Sequence, residues 1–120
     1  TGATGATGPG INDITTVINR QGGTTYTLQA SDHHKLVVFT SDSAVTVTLP
    51  AGMSEGFATT CYQKGAGRVK FVTAGSAVLR HPDDHNAIQY RYGTAALIVE
   101  ENSGGSAATY VLGGRTVLAS

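Results

Sequence analysis

The chain has 120 residues, room for one domain of ordinary size and its core but not for a second. Eight basic side chains balance eight acidic ones and charged residues make up only 13% of the chain, which argues against a nucleic-acid or anionic-membrane binder driven by charge. A single Cys without any Trp excludes an internal disulfide framework or a cysteine metal cage, and no apolar run approaches the roughly 20 residues that cross a bilayer.

The chain opens on Gly2-Ala3-Thr4, Gly5-Ala6-Thr7 and Gly8-Pro9-Gly10, with Thr1 in phase as the last residue of a preceding triplet. Three polyproline-II chains wind together only where every third residue lacks a Cβ, because that position faces the crowded axis. A flexible Gly/Ala/Thr linker would need no such period. Residues 1–10 therefore read as the end of a collagen-like stalk, and the start at Thr1, without Met or a signal segment, as a cut inside a longer chain. A triple helix requires three copies of whatever follows it, so the expected state is a homotrimer.

Residues 11–23 read as a neck. In Asp13 to Arg20, Ile14, Val17 and Ile18 fall at helical spacing behind an Asp13 N-cap. The same stretch is rich in β-branched residues and serves equally as a first strand. Its apolar side, with Ile11, Ile14, Val17 and Ile18, is the expected trimer interface around the axis.

From residue 24 to 120 the runs are short, β-branched and separated by turn residues, the strand pattern. Predicted strands are Thr24 to Gln29, Lys35 to Thr40, Ala44 to Leu49, Ala58 to Gln63, Arg68 to Thr73, Ala77 to Arg80, Ala87 to Tyr92, Ala95 to Glu100 and Ala108 to Leu112. Val45, Val47 and Leu49 share one face of their strand and Thr46 and Thr48 the other, as in a half-buried sheet. Leu36 to Phe39 and Ala95 to Val99 are continuous apolar runs, suited to strands covered on both faces, the second cover being another subunit. Short strands at roughly 8–12-residue spacing predict an all-β fold, an antiparallel β-sandwich or jelly roll.

Three segments resemble a recurring pattern of bacteriophage fibre proteins. They are Ala44-Val45-Thr46-Val47-Thr48-Leu49-Pro50-Ala51-Gly52, then Gly56-Phe57, then Gln63-Lys64-Gly65-Ala66-Gly67-Arg68-Val69-Lys70-Phe71. The closing pair, Thr94 to Val99 and Thr109-Tyr110-Val111-Leu112-Gly113-Gly114, is similar to that family's last two strands, with Tyr110 where a Trp often stands. The resemblance spans about Thr24 to Gly114 and implies a trimeric, all-β distal module of a virion fibre, on a tail or a capsid. It also implies virion components as partners upstream and a location on the particle surface. Collagen-like surface-layer proteins of bacteria and complement-type jelly rolls share the stalk-plus-knob plan but lack the Thr-Leu-Pro and Gly-Ala-Gly segments.

Residues able to do chemistry are few. His81-Pro82-Asp83-Asp84-His85 places imidazoles and carboxylates close enough to hold a divalent cation through His81 and His85, or else forms a solvated turn. No cofactor is otherwise expected. Tyr90, Arg91 and Tyr92, with His81, Asp83, Asp84 and His85, are candidates for stacking on and hydrogen-bonding to a host-surface glycan or protein; strand surface or trimer interface would explain the same residues. Glycoside hydrolysis needs two carboxylates flanking a groove, and no motif pairs any of Asp13, Asp32, Asp42, Glu55, Asp83, Asp84, Glu100 or Glu101, so a non-enzymatic role is expected. Cys61 reads as a small buried hydrophobe. What remains is a receptor-binding tip or a pure trimerisation cap for the stalk, without nucleic acid or membrane insertion.

Overall fold

Alternation of apolar and polar residues decides which side of each strand is buried. Val45, Val47 and Leu49 are buried while Thr46 and Thr48 face outward, and in Ala58 to Gln63 it is Thr59, Cys61 and Gln63 that turn inward. The computed structural model describes residues 17–119. The glycine triplets, and Ile11 and Ile14 of the neck, lie outside the described residues.

The strands are β1 (Ile18–Gln21), β2 (Thr25–Thr27), β3 (Leu36–Phe39), β4 (Val45–Leu49), β5 (Ala58–Gln63), β6 (Val69–Thr73), β7 (Val78–Arg80), β8 (Ala87–Ile88), β9 (Thr94–Glu101), β10 (Thr109–Gly114) and β11 (Thr116–Val117). They form a six-stranded sheet in the order β1-β3-β5-β9-β10-β7 and a five-stranded sheet in the order β11-β8-β6-β4-β2. Among the described residues, helix is confined to short 3-10 structure such as the turn Ala30–Asp32. The fold is all-β, and its two layers are compatible with a sandwich.

The antiparallel expectation needs correction, because both sheets are mixed. From β1 to β6 the chain alternates between the layers, so that β1, β3 and β5 lie parallel in one and β2, β4 and β6 parallel in the other. Each strand's crossover is a strand of the opposite sheet, which supplies the long connection parallel pairing demands. Antiparallel pairing appears later, where β9 joins β5 to β10 and β8 joins β6 to β11. Side-chain alternation is identical in the two arrangements, so it names the buried face and leaves the neighbour open.

Two predicted elements change. Ile18–Gln21, at the end of the ambiguous neck segment, is a strand paired with β3. The predicted strand Ala87 to Tyr92 stops at Ile88, because Tyr90 to Gly93 closes a turn through Gly93 N–H to Tyr90 O at 2.9 Å. The core lies between the layers: Val37, Phe39, Cys61, Leu97, Val99, Tyr110 and Leu112 meet Val45, Val47, Leu49, Val69, Phe71 and Ile88. Burying each large apolar side chain contributes about 1.5–3 kcal/mol.

Candidate functional site

The His81–His85 turn connects β7 to β8. Pro82 sits at its first central position, where a fixed φ favours a turn, and Asp84 N–H donates to His81 O at 3.0 Å. Asp84 takes a φ of 59°, a left-handed value that aspartate tolerates better than most residues. The turn folds the two imidazoles together at 4.2 Å between centroids and 11° between planes. Asp83 joins them, one donor atom from each of His81, Asp83 and His85 lying within 4.8 Å of the others. Thr116 Oγ1 reaches a nitrogen of each ring, 2.9 Å from His85 Nδ1 and 3.4 Å from His81 Nε2. The pentapeptide is legible in sequence; Thr116 is not, because β11 is too short to carry a period.

Tyr90, Arg91 and Tyr92 occupy the turn at the other end of β8, and among the described residues no hydrogen bond joins the two turns. The candidate residues thus fall into two groups rather than one site. Tyr90 and Tyr92 are each 61% exposed, and the Arg91 guanidinium stands 5.0 Å from the centre of the Tyr92 ring. Tyr92 has a φ of 69°, a conformation that costs a non-glycine residue about 1–3 kcal/mol. Tyr92 N–H donating to Gln63 O at 2.6 Å and Arg91 Nε donating to Lys64 O at 3.0 Å hold it there. Two aromatic faces with a guanidinium, beside Thr94 and Arg115 in a shallow depression, offer stacking and charged donors together.

Other reactive groups are consumed by the structure. Cys61 is wholly buried in β5, and burial first, then the Asp32 charge, pushes its thiol up and away from the nucleophilic thiolate. Asp32, also buried, accepts from the Tyr26 hydroxyl at 2.6 Å, Asn19 Nδ2 at 2.8 Å and Gln29 N–H at 2.9 Å. Burial and this carboxylate push the Tyr26 phenol up. The cluster pins β1 to β2 and to the 3-10 turn; sequence reading missed it, since its members come from separate elements at no regular spacing. Glu55 accepts from Asn102 N–H at 2.8 Å.

The outer faces of the two sheets differ in kind. On the five-stranded sheet, Thr25, Thr46 and Lys70 lie side by side, as do Thr27, Thr48 and Val72, a mostly polar surface. On the six-stranded sheet, Ile18 neighbours Leu36, and Ala58, Ile98 and Val111 share a row. Val17 and Ile98 are 45% exposed and Val111 38%, and a shallow groove runs among Val17, Leu36, Ala58, Ala96, Ile98 and Val111. Val17 and Ile18, the described part of the expected trimer interface, both belong to this face.

Comparison of the chain with protein-family models, with curated proteins and with solved structures returns no match.

Proposed function

We propose that this chain is a non-enzymatic, trimeric module of a virion fibre of the bacteriophage type, which registers a collagen-like stalk and presents its loops to a host-surface glycan or protein. The observation that carries this reading is the apolar outer face of the six-stranded sheet. A sheet facing water alternates apolar and polar residues, as the five-stranded sheet does, whereas Leu36, Ala96, Ile98 and Val111 add a second apolar face. Contiguous apolar surface of this kind marks an interaction site. The partner is a second copy of this chain: the phased glycines at 2, 5 and 8 need three chains, and Val17, within the neck, lines the same groove.

A folded trimer would hold three stalk ends together and lower the entropic cost of winding them. Surface binding is supported by the Tyr90–Tyr92 turn, whose strained backbone keeps two aromatic rings in solvent. Three weak sites per trimer would act through avidity rather than single-site affinity.

Light scattering at micromolar concentration should return the mass of a trimer, and a monomer would refute the reading. Replacing residues 17–120 by an unrelated trimeriser then separates the two roles. Assembly should survive the exchange and adsorption to the host should fall; unchanged adsorption would leave a trimerisation cap alone.

A further inference from the structure

The geometry points to a divalent transition-metal site on the turn between β7 and β8, built by His81, Asp83 and His85 of one chain. It stands apart from the trimer reading, since all three donors come from a single turn. Two imidazoles and a carboxylate are the donor set that Zn²⁺ and its neighbours accept, whereas Mg²⁺ or Ca²⁺ would require a cage of oxygens.

Convergence separates this cluster from a chance grouping. His85 Nδ1 and His81 Nε2 aim at one point, the position held by Thr116 Oγ1. Thr116 is buried and registered opposite Ile88, so that point is fixed relative to the five-stranded sheet. The three donor atoms span at most 4.8 Å. Ligands around a tetrahedral Zn²⁺ with bonds of about 2.0–2.1 Å stand about 3.3 Å apart, so the set must draw in by about 1.5 Å. Asp83 is exposed and both histidines are half-buried, so the movement falls on side-chain torsions of a surface turn and leaves the packed core alone.

The hydrogen bonds also define what an ion displaces. Asp83 N–H donates to His81 Nδ1 at 3.0 Å, so that nitrogen carries a lone pair and the ring proton sits on Nε2, facing Thr116. Accepting that proton leaves the Thr116 hydroxyl able to donate its own to His85 Nδ1, 2.9 Å away. His85 Nδ1 then holds a lone pair that an ion would have to take over from the Thr116 hydroxyl. His81 must move its proton from Nε2 to Nδ1, a tautomer exchange that leaves its charge unchanged. That exchange breaks the bond from the Asp83 main-chain N–H, so the turn must adjust as the ion binds.

The test titrates tag-free protein with ZnCl₂, and separately with NiCl₂, following heat and thermal unfolding. The expected result is one ion per chain with a dissociation constant in the micromolar range, and a raised melting temperature that EDTA reverses. His81→Ala and His85→Ala should each weaken binding at least about tenfold. His33→Ala is the control, because His33 and His34 form the other stacked imidazole pair, at 3.7 Å, and it should bind as the parent does. Long-range ¹⁵N correlation spectra should show the His81 ring proton passing from Nε2 to Nδ1 as zinc is added. Absence of heat and of any melting shift with either ion at about 1 mM would overturn the site. So would binding that survives His81→Ala, or that is lost in His33→Ala instead.

Discussion

Tyr110 occupies the place where the resembled fibre proteins often carry Trp, and its surroundings give the polar end a task. The ring is fully buried in the core, while the hydroxyl donates to the Pro50 carbonyl at 2.6 Å. The bond ties β10 to the turn that ends β4. Tyr110→Phe keeps the ring and strands that carbonyl, so stability should fall by about 1–2 kcal/mol, read from urea unfolding. Burial pushes the phenol up to about 12 from its ordinary 10.0. An acid with a raised folded value keeps its proton longer in the folded state than in the unfolded one. Its contribution is whole below pH 10 and is lost as pH rises toward 12. The stability gap between the parent and Tyr110→Phe should therefore shrink across that window, and a gap that stays constant would deny Tyr110 this role.

Short segments acquire their meaning from the elements they pass. Gly65-Ala66-Gly67 lies between the predicted strands Ala58 to Gln63 and Arg68 to Thr73, where turn glycines would matter for their dihedral freedom. In the structure they matter for space. A Cβ on Gly65 would run into the carbonyls of Ser41 and Thr40, and one on Gly67 into that of Ser43. The loop from β5 to β6 lies against the loop from β3 to β4, because β5 pairs parallel with β3 and β6 with β4. Gln63, buried at the end of β5, spans the loop by donating to Gly65 O at 3.4 Å and accepting from Val69 N–H at 3.2 Å. Ala66 N–H donates to Asp42 Oδ1 at 3.0 Å, stitching the two loops together. Gly67→Ala should cost about 2–4 kcal/mol, whereas Gly104→Ala, with open space around it, should cost far less. Equal melting temperatures for the two variants would refute the close approach.

At the scale of the whole molecule, the asymmetry between the two outer faces carries the proposal of a trimer. If the face bearing Ile98 and Val111 packs against other copies, Ile98→Glu with Val111→Glu should yield monomers by light scattering. The far-ultraviolet signature of the sheets should persist, because neither side chain belongs to the core. Thr46→Glu with Thr48→Glu, on the polar face of the other sheet, should leave the mass unchanged. A double variant of the apolar face that kept the parent mass would dismiss it as the interface.

Period-two patterning and turn residues were enough to place most strands, and Ala58 to Gln63 matches its observed bounds. They were enough to choose the inward residues of β4, and to mark Leu36 to Phe39 and Ala95 to Val99 as apolar on both sides. The pentapeptide His81 to His85 was visible for the same reason: its members are neighbours in the chain. Strand partners were not visible, since alternation is blind to direction, and a coil of strands between two layers presents the same pattern as a set of hairpins. The convergence of His81 and His85 on Thr116, the burial of Asp32 among Asn19 and Tyr26, and the clash that makes Gly67 necessary all join residues of separate elements. Contacts of that kind exist only once the layers have closed, so the tertiary structure alone decided them.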